Sequence, residues 1–373
     1  KEYFYLYVLA LLILIPTWLI PGIFFSGDVW VHLANFSTDP GKTLFTNYGP
    51  NFFPISLAGL FVYIKLFGVH YMAYQLGNLF LYGFIVVLVL KICRALGFDL
   101  QNTSGKITLV VLLCTPCMIF FDFTSPDSGL IMFLQSITEL ASLYFFIKYL
   151  RAPEERFFYF SIFLCLVQNY VSAKGIFLPT CLALFLLIDT LFSGTQFKKV
   201  FTKLVMLGSV QILFLVVQAY ATRTVLATSG NASASFVGGI LADPFGFLQF
   251  YAKYIGMMLS AFFFMNQERP FFLGCSFFLF LSLNGWFVYT FVKDKMKLKT
   301  YFTLLAYILV QSILVPLTRF NLHIAHQHNI IMFFSIFLLS LFLLLHTVNS
   351  IIKKVKHKIF TKFACIVVLL VYV

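Results

Sequence analysis

Long apolar runs separated by short polar phrases set the pattern of this chain. The runs fall at residues 3–21, 74–95, 106–121, 129–148, 156–170, 175–192, 202–221, 271–292, 301–317 and 329–347, with an eleventh starting near residue 363. A helix of roughly 17–25 apolar residues crosses the ~30 Å hydrocarbon core of a bilayer. Several of these runs meet that length, and none alternates polar and apolar residues as the strands of a membrane barrel do. The pattern predicts an all-α fold, a polytopic transmembrane helical bundle of about 10–11 spans.

Composition agrees. With 61% hydrophobic residues, 50 Phe and only 10% charged residues, no soluble domain could bury so much apolar surface. Residues 3–21 are too long for the apolar part of a signal peptide and lack a small-residue cleavage site, so they read as the first span. The last run, "FACIVVLLVYV", stops short of a full span. The expectation is a single transmembrane domain over 1–373, trimmed at its C-terminus.

Charge then orients the spans. Basic residues bunch at Lys91/Arg94/Lys106, Lys148/Arg151/Arg156 and Lys198/Lys199/Lys203, and again in "KDKMKLK" (293–299) and "KKVKHKIFTK" (353–362). The positive-inside rule assigns all of them to the cytoplasm. The formal charge of +13 is therefore topological and implies no nucleic-acid partner. Residues 53–68 and 245–265 are also apolar, but crossing there would invert the downstream charge pattern. They read as interfacial helices of the first and fourth outer loops.

Once the sides are assigned, acids, imidazoles and isolated cations collect on the outer one. The first outer loop, "GDVWVHLANFSTDPG", carries Asp28, His32 and Asp39; the second, "FFDFTSPDSG", carries Asp122 and Asp127. The third, "QNYVSAKG", offers Gln168, Asn169 and Lys174, and the last, "TRFNLHIAHQHN", has Arg319, His323, His326 and His328. Asp28 and His32 share a face if their segment is helical. Asp28 then serves either as a helix cap with a solvated His32 beside it, or as a general base for an acceptor. Asp127 has the same two readings, with "SPDSGL" also starting a helix. Arg319, His323 and His326 form either a polar loop or a cradle for phosphate, which Arg binds through paired donors.

A three-histidine metal site lacks the usual distant fourth ligand. The seven cysteines are scattered, and the isolated pair Cys114 and Cys117 reads as buried thiols. Glu139 and Asp189 lie within or at the end of apolar runs, where an acid is a functional candidate by default.

The first outer loop is followed by "TNYGPNFFPISLAGLFVYIKLFGV" and then by a span opening "LGNLFLYGFIVVLVLKICRALG". This order, from residue 3 to about residue 150, resembles the GT-C superfamily of integral-membrane glycosyltransferases. That superfamily includes the protein O-mannosyltransferases and the aminoarabinose transferase of lipid A. The resemblance implies a GT-C-like bundle in the bacterial inner membrane or the ER membrane, with its site facing the periplasm or lumen. It implies transfer of a sugar, with inversion, from a polyprenyl-phosphate donor to a glycan, lipid or protein acceptor. Asp28 matches the family's first-loop catalytic acid, Asp127 the second-loop acid, and Arg319 the basic residue that holds donor phosphate. His32 joins the catalytic set, and His323, His326, Asp122 and Lys174 the phosphate-binding set. The family often has adjacent acids in the first loop, whereas Asp28 stands beside Val29. No cofactor or protein-bound metal is required, and a divalent cation helping to hold the phosphate stays open.

A polysaccharide polymerase or ligase is the nearest alternative, but such enzymes rely on arginine-rich outer loops. A lipid or sugar transporter or flippase is the other, for which internal repeats and midmembrane charges are the usual signs.

Overall fold

Prolines start many of these helices. Pro40, Pro54, Pro126, Pro179 and Pro244 each sit in a first turn, where the missing N–H had no helical partner to lose. The computed structural model describes residues 27–45, 53–68, 70–96, 126–194, 196–222, 243–260, 278, 281–282, 284–285, 287–289 and 292–313. Among these residues the structure is helical and has no strand.

The helices are α1 (Gly27–Thr38), α2 (Pro40–Leu44), α3 (Pro54–Phe67), α4 (Tyr71–Ala95), α5 (Pro126–Arg151) and α6 (Glu155–Val171). A 3-10 turn, Ala173–Phe177, leads into α7 (Leu178–Ser193), followed by α8 (Phe197–Thr222), α9 (Pro244–Ser260) and α10 (Lys295–Ser312). The first eight belong to one compact unit and the last two to another.

Four stretches are long and apolar enough to cross a membrane: Tyr71–Ala95, Gly129–Arg151, Gly175–Ser193 and Val200–Val217. They coincide with the predicted runs 74–95, 129–148, 175–192 and 202–221. The expected spans 3–21, 106–121 and 329–347, and the one near residue 363, lie outside the described residues. So does most of 271–292. Exposed Phe80, Phe84 and Val87 on α4, and Ile212, Leu213 and Val216 on α8, give these helices an apolar outer surface. That surface suits lipid and not water.

α5 is the hub of the first unit. It runs parallel to α4, since Tyr82 meets Phe133 and Lys91 lies over Tyr144 further along both helices. The expected span at 106–121 would generate such a parallel pair. α6 returns antiparallel after a short turn, pairing Ser161 with Ser142 and Phe158 with Phe146. There each serine hydroxyl donates to the other's backbone carbonyl, both at 2.9 Å. Only small side chains permit that approach, and the hydroxyls supply the polar adhesion that packing between apolar helices lacks.

α3 has 14 residues, about 21 Å at a rise of ~1.5 Å per residue, too short for the hydrocarbon core. It lies across the ends of three longer helices. Ser56 donates to the Val171 carbonyl of α6 at 2.6 Å. Gly59 packs against Leu130 and Leu134 of α5, and Tyr63 against Tyr74 of α4. A Cβ at Gly77 would stand 2.6 Å from the Tyr63 hydroxyl, so glycine is what lets α3 fold down onto α4. Gly68, at φ 57°, turns the chain between them, and the Tyr74 hydroxyl closes that turn on the Gly68 carbonyl at 2.7 Å.

In the second unit the Tyr251 hydroxyl of α9 donates to the Leu309 carbonyl of α10 at 2.6 Å, and Phe287 stacks on Tyr301 at 4.3 Å. With α1, α9 separates its polar and apolar sides most clearly among the described helices. That is the character expected of an interfacial helix.

Replacing Ser142 separates packing from hydrogen bonding. Ser142→Ala keeps the close approach and should cost about 0.6 kcal/mol, typical of a single interhelical hydrogen bond in a membrane bundle. Ser142→Val adds bulk at the contact as well, and should cost about 1–3 kcal/mol. Unfolding of the purified protein in mixed micelles measures both.

Candidate functional site

The two ends of the first unit differ in chemistry. At one end the cations gather over aromatic rings. Lys148 lies over Tyr144 and Phe157, Arg156 over Phe157, and Lys91 over Tyr144. Lys203 lies over Tyr149 and Phe158 and pairs with Glu155 at 2.9 Å. Three basic bunches that are far apart in sequence thus meet at one end. Cations over rings keep part of their stabilisation where an ammonium is only partly hydrated.

The opposite end is built from α1, α3 and the first turns of α5. Phe36 of α1, Phe53 before α3, Leu57 and Leu60 of α3, and Leu130 of α5 form a single buried apolar cluster. The Phe36 ring packs on Phe61 at 5.2 Å. This cluster fixes α1 against α3 and the start of α5. Asp28 lies in the first turn of α1, two turns before the docked Phe36, and Asp127 in the first turn of α5, one turn before Leu130. An acid in a first turn is also favoured by the helix dipole.

His32 lies one turn beyond Asp28 in α1, so the helical condition for a shared face is met. It is 4% exposed, which rules out the solvated reading of this imidazole. Asp39 serves the fold, because its carboxylate accepts the Lys42 N–H at 2.9 Å and caps α2. Lys174 lies in the 3-10 turn after α6. Asp122, Arg319, His323, His326 and His328 lie outside the described residues. Among the described residues no group of three or more His, Cys, Asp or Glu could hold a metal.

Polar side chains that the sequence pattern hid lie beneath α3. Helix α6 continues through "QNYV", so Gln168 and Asn169 belong to its last turn and are buried, whereas an outer loop was expected there. Gln168 accepts a hydrogen bond from Thr138 of α5, and Gly175 leans on the Gln168 side chain. Gln135, one turn before Thr138, is 2% exposed. The Gln135 Oε1, the Gln168 Nε2 and both amide atoms of Asn169 have no partner among the described residues. Each such buried group carries a desolvation cost of about 1–3 kcal/mol, so four of them in one seam need an explanation. Gln75 and Asn78 add buried amides on α4, with both Asn78 atoms also unmet. One turn past Gln135, Glu139 is 1% exposed and within electrostatic reach of Cys165 and Cys181. Burial also pushes the Tyr63 phenol of α3 up to about 12, so it stays protonated at neutral pH.

Phe36→Ala tests whether the apolar cluster positions α1. Removing a buried Phe costs about 3–5 kcal/mol, and here the loss should be local. Amide exchange should accelerate over residues 27–38 and stay unchanged over α6 and α7. Uniform acceleration across the first unit would instead make Phe36 a general core residue.

No protein-family model, no curated protein and no solved structure matches this chain.

Proposed function

We propose that the protein is a membrane glycosyltransferase, GT-C-like in architecture with about 10–11 spans. In this reading it moves a sugar from a polyprenyl-phosphate donor to an acceptor on the periplasmic or lumenal face. The observation that supports the proposal is the shared end of the bundle: the helix that carries Asp28 docks through Phe36 on the same apolar cluster as Leu130, one turn past Asp127, at the end away from the gathered cations. If the cationic end is cytoplasmic, the acids face outward.

The chemistry asks little of the protein. A glycosyl phosphate already has a good leaving group, so no second carboxylic acid must protonate it. Asp28, with His32 one turn along, takes the acceptor proton. Arg319 and the neighbouring His323 and His326 hold the departing phosphate, assisted by Lys174. Asp127 and Asp122 position the acceptor or a bridging cation. A lipid-linked donor enters sideways from the bilayer, past the short helix α3. The buried Glu139 favours one second reading, a transporter or flippase, because ionisable groups inside spans mark transport paths.

Asp28→Asn keeps the shape of the side chain but cannot accept a proton. It should fold normally and lose on the order of 10²–10⁴ in transfer rate. Arg319→Ala should mainly weaken donor binding, since a phosphate contact already made in the ground state appears in KM more than in kcat. Asp39→Asn should leave turnover unchanged, because Asn also caps a helix. Turnover of polyprenyl-phosphate sugars by purified variants decides it. Near-normal transfer by Asp28→Asn eliminates the base, and counterflow uptake without transfer selects the transporter.

A further inference from the structure

We infer that the seam between α5 and α6 beneath α3 is a binding subsite for a neutral, hydroxyl-bearing group, and that the sugar ring of the donor occupies it. The assignment of that ring to a donor rests on the transferase reading; the binding chemistry does not.

Three carboxamides define the seam. Gln135, Gln168 and Asn169 are all at least nine-tenths buried, and they hang from two facing helices joined by the Thr138–Gln168 hydrogen bond. Their unmet atoms include both kinds of polar group. Gln168 Nε2 is a donor, Gln135 Oε1 an acceptor, and Asn169 offers one of each. Turning the Asn169 amide over leaves the same pair unmet, so the inference is independent of its orientation. A bare cation would satisfy the oxygens and be repelled by the N–H groups, and an anion would do the reverse. A hydroxyl gives and accepts at once, and a ring with adjacent hydroxyls matches a row of carboxamides.

Position supports the same occupant. Gln135 lies two turns along α5 from Asp127, roughly 12 Å at a rise of ~1.5 Å per residue. The seam therefore lies about two turns inside the end where Asp127 is found. Ser56, bonded to the Val171 carbonyl, and Gly59, against Leu134, place α3 directly over it. That helix shields the seam from bulk water, which makes each hydrogen bond to a buried ligand count for more.

The test measures binding, not transfer. The probes are farnesyl phosphate and its glucose, mannose and N-acetylglucosamine esters, presented to the full chain in nanodiscs and read by native mass spectrometry. At least one sugar ester should bind about tenfold more tightly than bare farnesyl phosphate, as expected where a site hydrogen-bonds hydroxyls. Gln135→Met and Asn169→Leu, each close in size to the residue it replaces, should bring that preference to parity and change bare farnesyl phosphate by less than about twofold. Two variants guard against misfolding of one, and the wild-type preference needs no variant at all. No sugar preference in the wild-type protein overturns the inference. So does a preference that survives both substitutions, or variants that gain stability with binding unchanged, which would make the seam a site for structural water. Preference lost in the variants while the wild type transfers no sugar to any acceptor sustains the subsite and sinks the transferase reading alone.

Discussion

α5 and α6 are joined at Ser142 and Ser161, where each hydroxyl donates to the other helix's backbone carbonyl. In an apolar medium nothing squeezes two apolar helices together, so adhesion must come from shape and from hydrogen bonds with no competing water. This contact fixes the register of α5 against α6. The register in turn places Gln168 opposite Thr138 at one end, and Phe157 and Phe158 among the cations at the other. A slip by one turn would separate Thr138 from Gln168 and carry the Lys148 and Lys203 ammoniums off their rings.

Two chemically distinct ends follow from that register. The end holding Lys91, Lys148, Arg156 and Lys203 spreads positive charge over aromatic faces. The other end puts α3 across three helix ends and docks α1 through Phe36. Short helices lying over longer ones provide what a simple bundle cannot. They cover a polar seam, with Ser56 and Gly59 of α3 seated on the ends of α6 and α5.

The long helices were legible in the sequence because their apolar runs end in basic bunches. α4 starts three residues before the expected span and α5 three before its own, where Pro126 supplies a first turn that hydropathy does not register. The helical form of residues 27–38 was only a condition, since Gly27, Val29, Val31 and Asn35 are weak helix formers and tertiary packing of Phe36 decides the matter. Residues 53–68 were recognised as something other than a span from charge order. Their course across α4, α5 and α6 depends on Gly59 and Gly77, whose meaning lies in what each touches. Gln168 and Asn169 look like loop residues because polar groups near the end of an apolar run are usually solvated. Only the facing Thr138 and the lean of Gly175 show that they point inward. Ser142 and Ser161 read as interruptions of apolar runs, although they are the contact on which the pairing depends.

A site on one face of a membrane requires the two ends of the first unit to lie on opposite sides of it. Sidedness of single cysteines tests that directly, in a chain whose seven native cysteines are replaced. Thr38 and Lys42 lie exposed at the α1–α2 end, and Ala152 and Gln196 lie exposed in the turns at the cationic end. An impermeant maleimide added to the periplasmic or lumenal side should label cysteines at 38 and 42, and should reach those at 152 and 196 only after the membrane is opened. Labelling of positions 42 and 152 from the same side of a sealed membrane would contradict the account.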